Sequence, residues 1–188
     1  MKRLAIAAAL LASSFSVHAS RFVDTQLDNL YWAYNFGVQY DSMGKKKTHT
    51  SYEGDFRPDD KDTRMGYIMA AIAWQESSAG MNMQRKKGHH AYGLFQNYIV
   101  TVRTKAKRLG VYFGDDHLKY MLEHRDSSGL WAMDELRYWL EQHKGNMNLA
   151  LSSYYGGWNT KAGKNYAAAV LKKEQYLRNN TLRKPNKM

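Results

Sequence analysis

Apolar residues recur at helical spacing over most of the chain, and no stretch alternates apolar and polar positions long enough to read as a convincing strand. Helical periodicity or strong helix formers predict helices over Phe22 to Val38, Thr63 to Ser78, Tyr98 to Leu109, Gly129 to Lys144, Met147 to Tyr155 and Asn165 to Arg178. Punctuated stretches separate them, chiefly Asp41 to Asp62, rich in Lys, Thr, Asp and Gly, and Ala79 to Ala91. No internal repeat and no low-complexity linker divides the chain. The pattern predicts an all-α, mainly helical protein folded as a single globular domain.

The first residues follow a different logic. Lys2 and Arg3 precede an unbroken apolar run from Leu4 to Ala12, and Val17-His18-Ala19 puts small side chains at the positions a signal peptidase reads. Residues 1–19 are therefore expected to be a cleaved signal peptide, and residues 20–188 an exported protein of the periplasm or cell-wall space. The apolar run is far shorter than the roughly 20 residues a bilayer requires, so a membrane anchor is not expected.

Composition narrows the classes further. The 188 residues include 44% hydrophobic side chains and only two Pro, enough apolar content for a real core. The absence of Cys excludes a disulfide scaffold, a Cys-ligated zinc site, a thiol nucleophile and an acylated N-terminal Cys. Lys and Arg number 28 against 17 Asp and Glu, a formal net charge of +11. Much of the excess lies in Lys45-Lys46-Lys47, in Arg85-Lys86-Lys87 and in a basic tail from Arg178 to Lys187. Such runs can follow phosphates, but they more often form a solvated face, and an exported chain meets wall polymers and anionic surfaces more often than DNA. No recognition-helix or zinc-knuckle pattern supports a nucleic-acid partner.

Candidate chemistry enters at Met65 to Ser77. At 100° per residue Met65, Ile68, Met69 and Ile72 share one helix face, and Glu76 falls about 20° from Met65. Glu76 thus closes an apolar stripe, where desolvation raises a carboxyl pKa and prepares it as a general acid; a glutamate at the rim of a core is the structural alternative. A second element, Ala91-Tyr92-Gly93-Leu94-Phe95-Gln96-Asn97, combines a glycine that permits close backbone approach with an amide offering donor and acceptor. A third, Ala150 to Asn159, ends an amphipathic segment in Gly156-Gly157 among aromatic rings that suit the apolar faces of sugars.

Together and in this order these elements resemble the catalytic domain of soluble lytic transglycosylases. The resemblance rests on Glu76-Ser77, on Gly93-Leu94-Phe95-Gln96, on the Ala150 to Gly157 run, and on Tyr166 with Val170 behind it. It covers about Leu27 to Leu177 and implies a goose-type-lysozyme-like helical fold. It also implies that Glu76 is the single catalytic acid/base and that Ser77 helps orient the substrate or the carboxyl group. Gln96 would contact an N-acetyl sugar, Tyr154 would match the tyrosine of an Ala-Tyr-Asn-Ala-Gly motif, and Tyr166 would lie close to the acid. With Gly93 and Tyr155 these residues form the expected substrate-binding set. The chain departs from the family where Tyr155 and Gly156 replace Asn and Ala, a gap that Asn159 could fill.

The implied reaction is cleavage of peptidoglycan between N-acetylmuramic acid and N-acetylglucosamine, with the muramic sugar's own 6-hydroxyl closing a 1,6-anhydro ring. Proximity then replaces the second carboxylate of ordinary glycosidases. The implied partner is the glycan strand. Wall recycling, a secretion or conjugation machine, another envelope assembly and a phage are all settings for such enzymes. Two rival readings stand beside it. A hydrolytic lysozyme would need a second acid facing Glu76, with Asp59, Asp60, Asp62, Asp115 and Asp116 as candidates; a non-catalytic wall-binding factor would not need Glu76. The pair His89-His90 and the pair His117 with His124 match no zinc signature, so no metal and no cofactor is expected.

Overall fold

The computed structural model describes residues 21–46, 64–83 and 88–182. Among them the order is α1 (Asp24–Lys46), α2 (Arg64–Ser77), β1 (Ala91–Tyr92), β2 (Asn97–Tyr98), α3 (Ile99–Arg108), α4 (Asp115–Glu123), α5 (Arg125–Gln142), α6 (Met147–Gly156) and α7 (Thr160–Tyr176), followed by a π-helical turn, Leu177–Thr181. The mainly-α expectation holds. The expected signal peptide, Arg85-Lys86-Lys87, Asp59, Asp60, Asp62 and the end of the basic tail lie outside the described residues. No described helix is long and apolar enough to cross a membrane.

Helix α2 is the axis of the fold. Ile68, Met69, Ala70, Ala71, Ile72 and Ala73 are all fully buried, so the helix is enclosed on every side and not along one stripe as the spacing predicted. A helix apolar all round belongs at the centre of a core, and α1 and α7 pack against it. Small residues set these crossings. A Cβ on Gly66 would stand 2.7 Å from the Tyr34 carbonyl of α1, and one on Gly163 of α7 would stand 1.8 Å from the Ser152 carbonyl of α6. Glycine lets the backbones meet where any other side chain would hold them apart.

A second, smaller apolar cluster lies to one side. Tyr92, Ile99, Val102, Leu118 and Leu122 form it, with Phe113 and Trp131 against it. It gathers the hairpin, α3 and α4, while the larger cluster gathers α1, α2, α5, α6 and α7. Residues from both groups line the cleft described below.

Differences from the sequence reading have local causes. The ladder of β1 and β2 pairs Ala91 with Tyr98 and Tyr92 with Asn97, a run too short for alternation to register. Helix α1 continues to Lys46, through residues predicted as the start of a loop. Helix α4 begins after Gly114, which makes no side-chain capping bond, and it is short and buries only Leu118 and Leu122, too few apolar positions for periodicity to register. Helix α7 starts five residues before the predicted boundary because the Asn159 side chain accepts a hydrogen bond from the Ala162 amide. Asn159 is therefore a helix cap, its side-chain oxygen committed to α7.

The hairpin turn supplies a test of this packing. Gly93 has φ +77°, and a Cβ there would lie 1.8 Å from the Leu122 carbonyl, whereas Gly145 has φ +80° with open space around it. Gly93→Ala is expected to lower stability by about 2–4 kcal/mol in urea unfolding, from backbone strain plus overpacking. Gly145→Ala, with strain alone, should lose only about 1 kcal/mol. Equal losses would contradict the close approach.

Candidate active site

A cleft of about 410 Å³ brings together residues far apart in sequence. The end of α2 contributes Glu76, the hairpin Gln96, Asn97 and Tyr98, α3 Thr101 and Lys105, α5 Trp131 and Glu135, and α6 Tyr154 and Tyr155. Its size lies within the usual range for small-ligand sites.

Glu76 sits at the last turn of the buried helix, so its carboxyl leaves an apolar environment only at its tip. The Tyr166 hydroxyl donates to its Oε1 at 2.6 Å. Burial pushes the Glu76 pKa up to about 7, and the Tyr166 hydrogen bond, which favours the charged form, pulls the other way and loses. Among the described residues no cation pairs with this carboxyl. The arrangement holds a proton near neutral pH and can both give and retrieve it.

Two residues of the expected substrate-binding set, Ser77 and Gly93, are buried behind the cleft wall. Ser77 is fully buried; its hydroxyl donates to the Leu94 carbonyl at 2.7 Å and accepts from the Gly80 amide at 2.9 Å. It ties the end of α2 to the hairpin turn and is not part of the cleft lining, the geometry of the second of its two expected roles, orienting the Glu76 carboxyl. Gly93 is also buried, and the group it approaches closely is the Leu122 carbonyl, not a ligand. Its carbonyl accepts from the Gln96 side chain at 2.9 Å. That bond fixes the Gln96 amide nitrogen at the cleft wall, where Gln96 itself has φ +45°. Behind it, the buried Asn97 side chain donates to the Ser128 carbonyl at 2.9 Å and to its hydroxyl at 2.8 Å. The turn is thereby bolted to α5.

The tyrosines form a stack over the acid. Tyr154 and Tyr155 lie nearly parallel to Tyr166, with ring centroids 6.1 Å and 5.2 Å away. Tyr166 is buried and holds Glu76, while Tyr155 is 65% exposed and walls the cleft. Burial, then the nearby charge of Glu76, pushes the Tyr154 and Tyr166 hydroxyls well above their usual pKa, and at Tyr154 the charge of Glu135 adds to the same effect. Both therefore stay neutral donors. The Tyr154 hydroxyl makes no hydrogen bond within the described residues, which leaves it for a ligand.

Glu135 is the cleft residue that sequence reasoning missed. Its Oε1 accepts from the Trp139 indole N–H, and its buried Oε2 lies 2.8 Å from Lys105 Nζ as an ion pair, without accepting a hydrogen bond. Lys105 also reaches Asp134 at 2.7 Å. In sequence Asp134-Glu135 reads as a solvated helix face; the available signal was that residue 135 shares a face with Trp131, Tyr138 and Trp139. Of the candidate second acids, Asp115 pairs with Arg103 and Asp116 with Lys119, away from the cleft, while Asp59, Asp60 and Asp62 lie outside the described residues. His89 is exposed and borders the cleft, His117 stacks on Phe113, and His124 meets the Tyr120 carbonyl. Among the described residues no group of three His, Asp or Glu could hold a metal ion.

The transglycosylase SLT domain family matches residues 56–177. The chain belongs to this family. Its function is accordingly of the lytic transglycosylase type, degrading peptidoglycan. A bacteriophage T4 protein described as an uncharacterized 20.7 kDa protein in the vs-regB intergenic region is 48% identical over 182 residues, which is 96% of either chain. No solved structure matches.

The raised pKa of Glu76 in this SLT domain makes stability depend on pH in a defined direction. Below about pH 4.5 folded and unfolded chains both hold the proton; between there and about pH 7 only the folded chain does. Stability relative to Glu76→Gln therefore falls as pH rises through that window, by up to about 3 kcal/mol. Urea unfolding of both proteins from about pH 4 to about pH 8 measures it. A stability difference that does not change with pH would contradict the buried proton.

Proposed function

We propose that the protein cleaves the bond between N-acetylmuramic acid and N-acetylglucosamine by intramolecular transglycosylation, forming 1,6-anhydromuramic acid ends. The observation that carries this reading is the unequal treatment of the two cleft carboxyls. Glu76 has a tyrosine and no cation and keeps its proton near neutral pH. Glu135 is charge-paired with Lys105, 2.8 Å from its Oε2, and its Oε1 accepts from Trp139; the Lys105 contact is an ion pair and not a hydrogen bond, and the pairing holds Glu135 as a carboxylate beside a cation. A hydrolase of the two-carboxylate kind needs its second carboxylate free to activate water or to attack carbon.

In the proposed cycle Glu76 donates its proton to the bridging oxygen as the bond from muramic C1 to that oxygen breaks. The same sugar's 6-hydroxyl then forms a bond to C1 and returns its proton to Glu76. No water is consumed, and the acid is restored. Tyr166 steadies the carboxylate during the interval in which it is charged, because its hydrogen bond is stronger to the anion. The Gln96 amide and the Tyr154 hydroxyl are assigned to the acetamido and hydroxyl groups of the sugars, and Tyr155 to the face of a ring. Holding the 6-hydroxyl against C1 supplies by proximity what a second carboxylate would otherwise provide.

The same reading places the protein outside the cytoplasm, where its substrate is, with residues 1–19 removed on export. An envelope assembly that must open the wall is the partner class this assignment favours.

Digestion of purified peptidoglycan by protein recovered from the periplasm, with the intact mass of that protein measured alongside, tests the whole assignment. The expected muropeptides are lighter by one water than those with reducing ends, and the enzyme is expected to begin at Ser20. Glu76→Gln should reduce release by about 10²–10⁴-fold. Reducing ends as the main product would show hydrolysis instead. Full activity in Glu76→Gln would discard both enzymatic readings.

A further inference from the structure

The cleft continues past Glu135. A second groove of about 310 Å³ shares Thr101, Lys105 and Glu135 with it and runs between α3 and the start of the α6–α7 connection. Its far wall is aromatic, with Tyr138, Trp139 and Trp158. Trp158 is 70% exposed, an unusual investment of apolar surface in water for a ring that is also held in place. Its edge stands against Trp139 at 5.0 Å and 82°, and Trp139 is itself 5% exposed and tied to Glu135 by its indole N–H. Gly157, with φ +59°, makes the turn that presents the ring. A supported indole with an open face is a platform for the apolar face of a sugar.

The two cations of this groove differ in their partners among the described residues. Lys105 is shared between Asp134 and Glu135, whereas Arg108, one turn further along α3, is exposed and pairs with no acid among the described residues. A planar guanidinium in that position can take a carboxylate in two parallel hydrogen bonds.

We propose that this groove is an outer subsite of the enzyme. Trp158 stacks a further N-acetylated sugar of the same glycan strand, and Arg108 binds a carboxylate on the peptide stem that such a sugar carries. The proposal rests on the wall-cleaving function argued above, and it makes recognition depend on strand length and on stems. Glu135 then has a positioning role: its ion pair with Lys105 and its bond from Trp139 join the reacting cleft to the outer platform.

Calorimetric binding of N-acetylglucosamine oligomers, from dimer to hexamer, to the full chain carrying Glu76→Gln reads the subsite without turnover. Affinity is expected to rise with length, and Trp158→Ala should lower it about tenfold for the hexamer, with a smaller loss for the dimer. Trp158→Phe, which keeps an aromatic face, should recover most of the loss. Equal losses at all lengths, no loss, or no dependence on length in the parent protein would overturn the sugar platform. Glycan fragments with stems and the same fragments stripped of them separate the second part. Arg108→Gln should weaken the stem-bearing form several-fold more than the stripped form; an equal effect would overturn the carboxylate contact. Length-dependent binding together with reducing-end products would leave the subsite standing and reject the anhydro reaction. The converse pair of results would reject only the subsite.

Discussion

The hydrogen bond from Tyr166 to Glu76 is the contact on which the site depends, because it joins the two helices that bury the acid. Helix α2 is enclosed on every side, so a carboxyl at its last turn is drawn out of water by the packing of the whole core. Burial alone would hold the proton tightly. The tyrosine lowers the cost of losing it, and the balance falls at about 7, where an acid can also serve as a base. The geometry that allows this is a set of close backbone approaches. Gly163 against Ser152 brings α7 onto α6, so that Tyr154, Tyr155 and Tyr166 can stack over one carboxyl.

The charge of the chain is distributed to keep that carboxyl neutral. With a net charge of +11, a cation near every acid would be unsurprising, yet among the described residues none pairs with Glu76. Lys173 of α7 donates to Gln75, the residue before Glu76 in the chain. Glu135 has the opposite surroundings, with the Lys105 ammonium beside one oxygen and the Trp139 indole N–H on the other. Two carboxyls in one cleft thus have different work, set by what surrounds each.

Much of this was legible in the sequence, because long helices with regular apolar spacing declare themselves and because Glu76, Gln96, Tyr154 and Tyr166 occur in the order of a known family. The rest depended on tertiary contacts that spacing does not encode. Ser77 and Gly93 looked like parts of the binding surface, but their partners, the carbonyls of Leu94 and Leu122, are revealed only when α2, the hairpin and α4 are packed together. Asn159 resembled a displaced site residue and is a helix cap. Glu135 was hidden in a charged dipeptide on an amphipathic helix, and the groove beyond it is built by two helices, α3 and α5, and the α6–α7 connection. Burial of α2 on every face likewise exceeds what a single apolar stripe suggests.

The central claim concerns one proton, and the most direct measurement is a titration of that carboxyl itself. Carbon-detected magnetic resonance of protein labelled at glutamate side chains, with Glu76→Gln to assign the signal, follows its ionisation across the neutral range. A midpoint near pH 7 is the result expected for Glu76. A midpoint near the ordinary glutamate value of about 4.3 would show a solvated carboxylate and contradict the account.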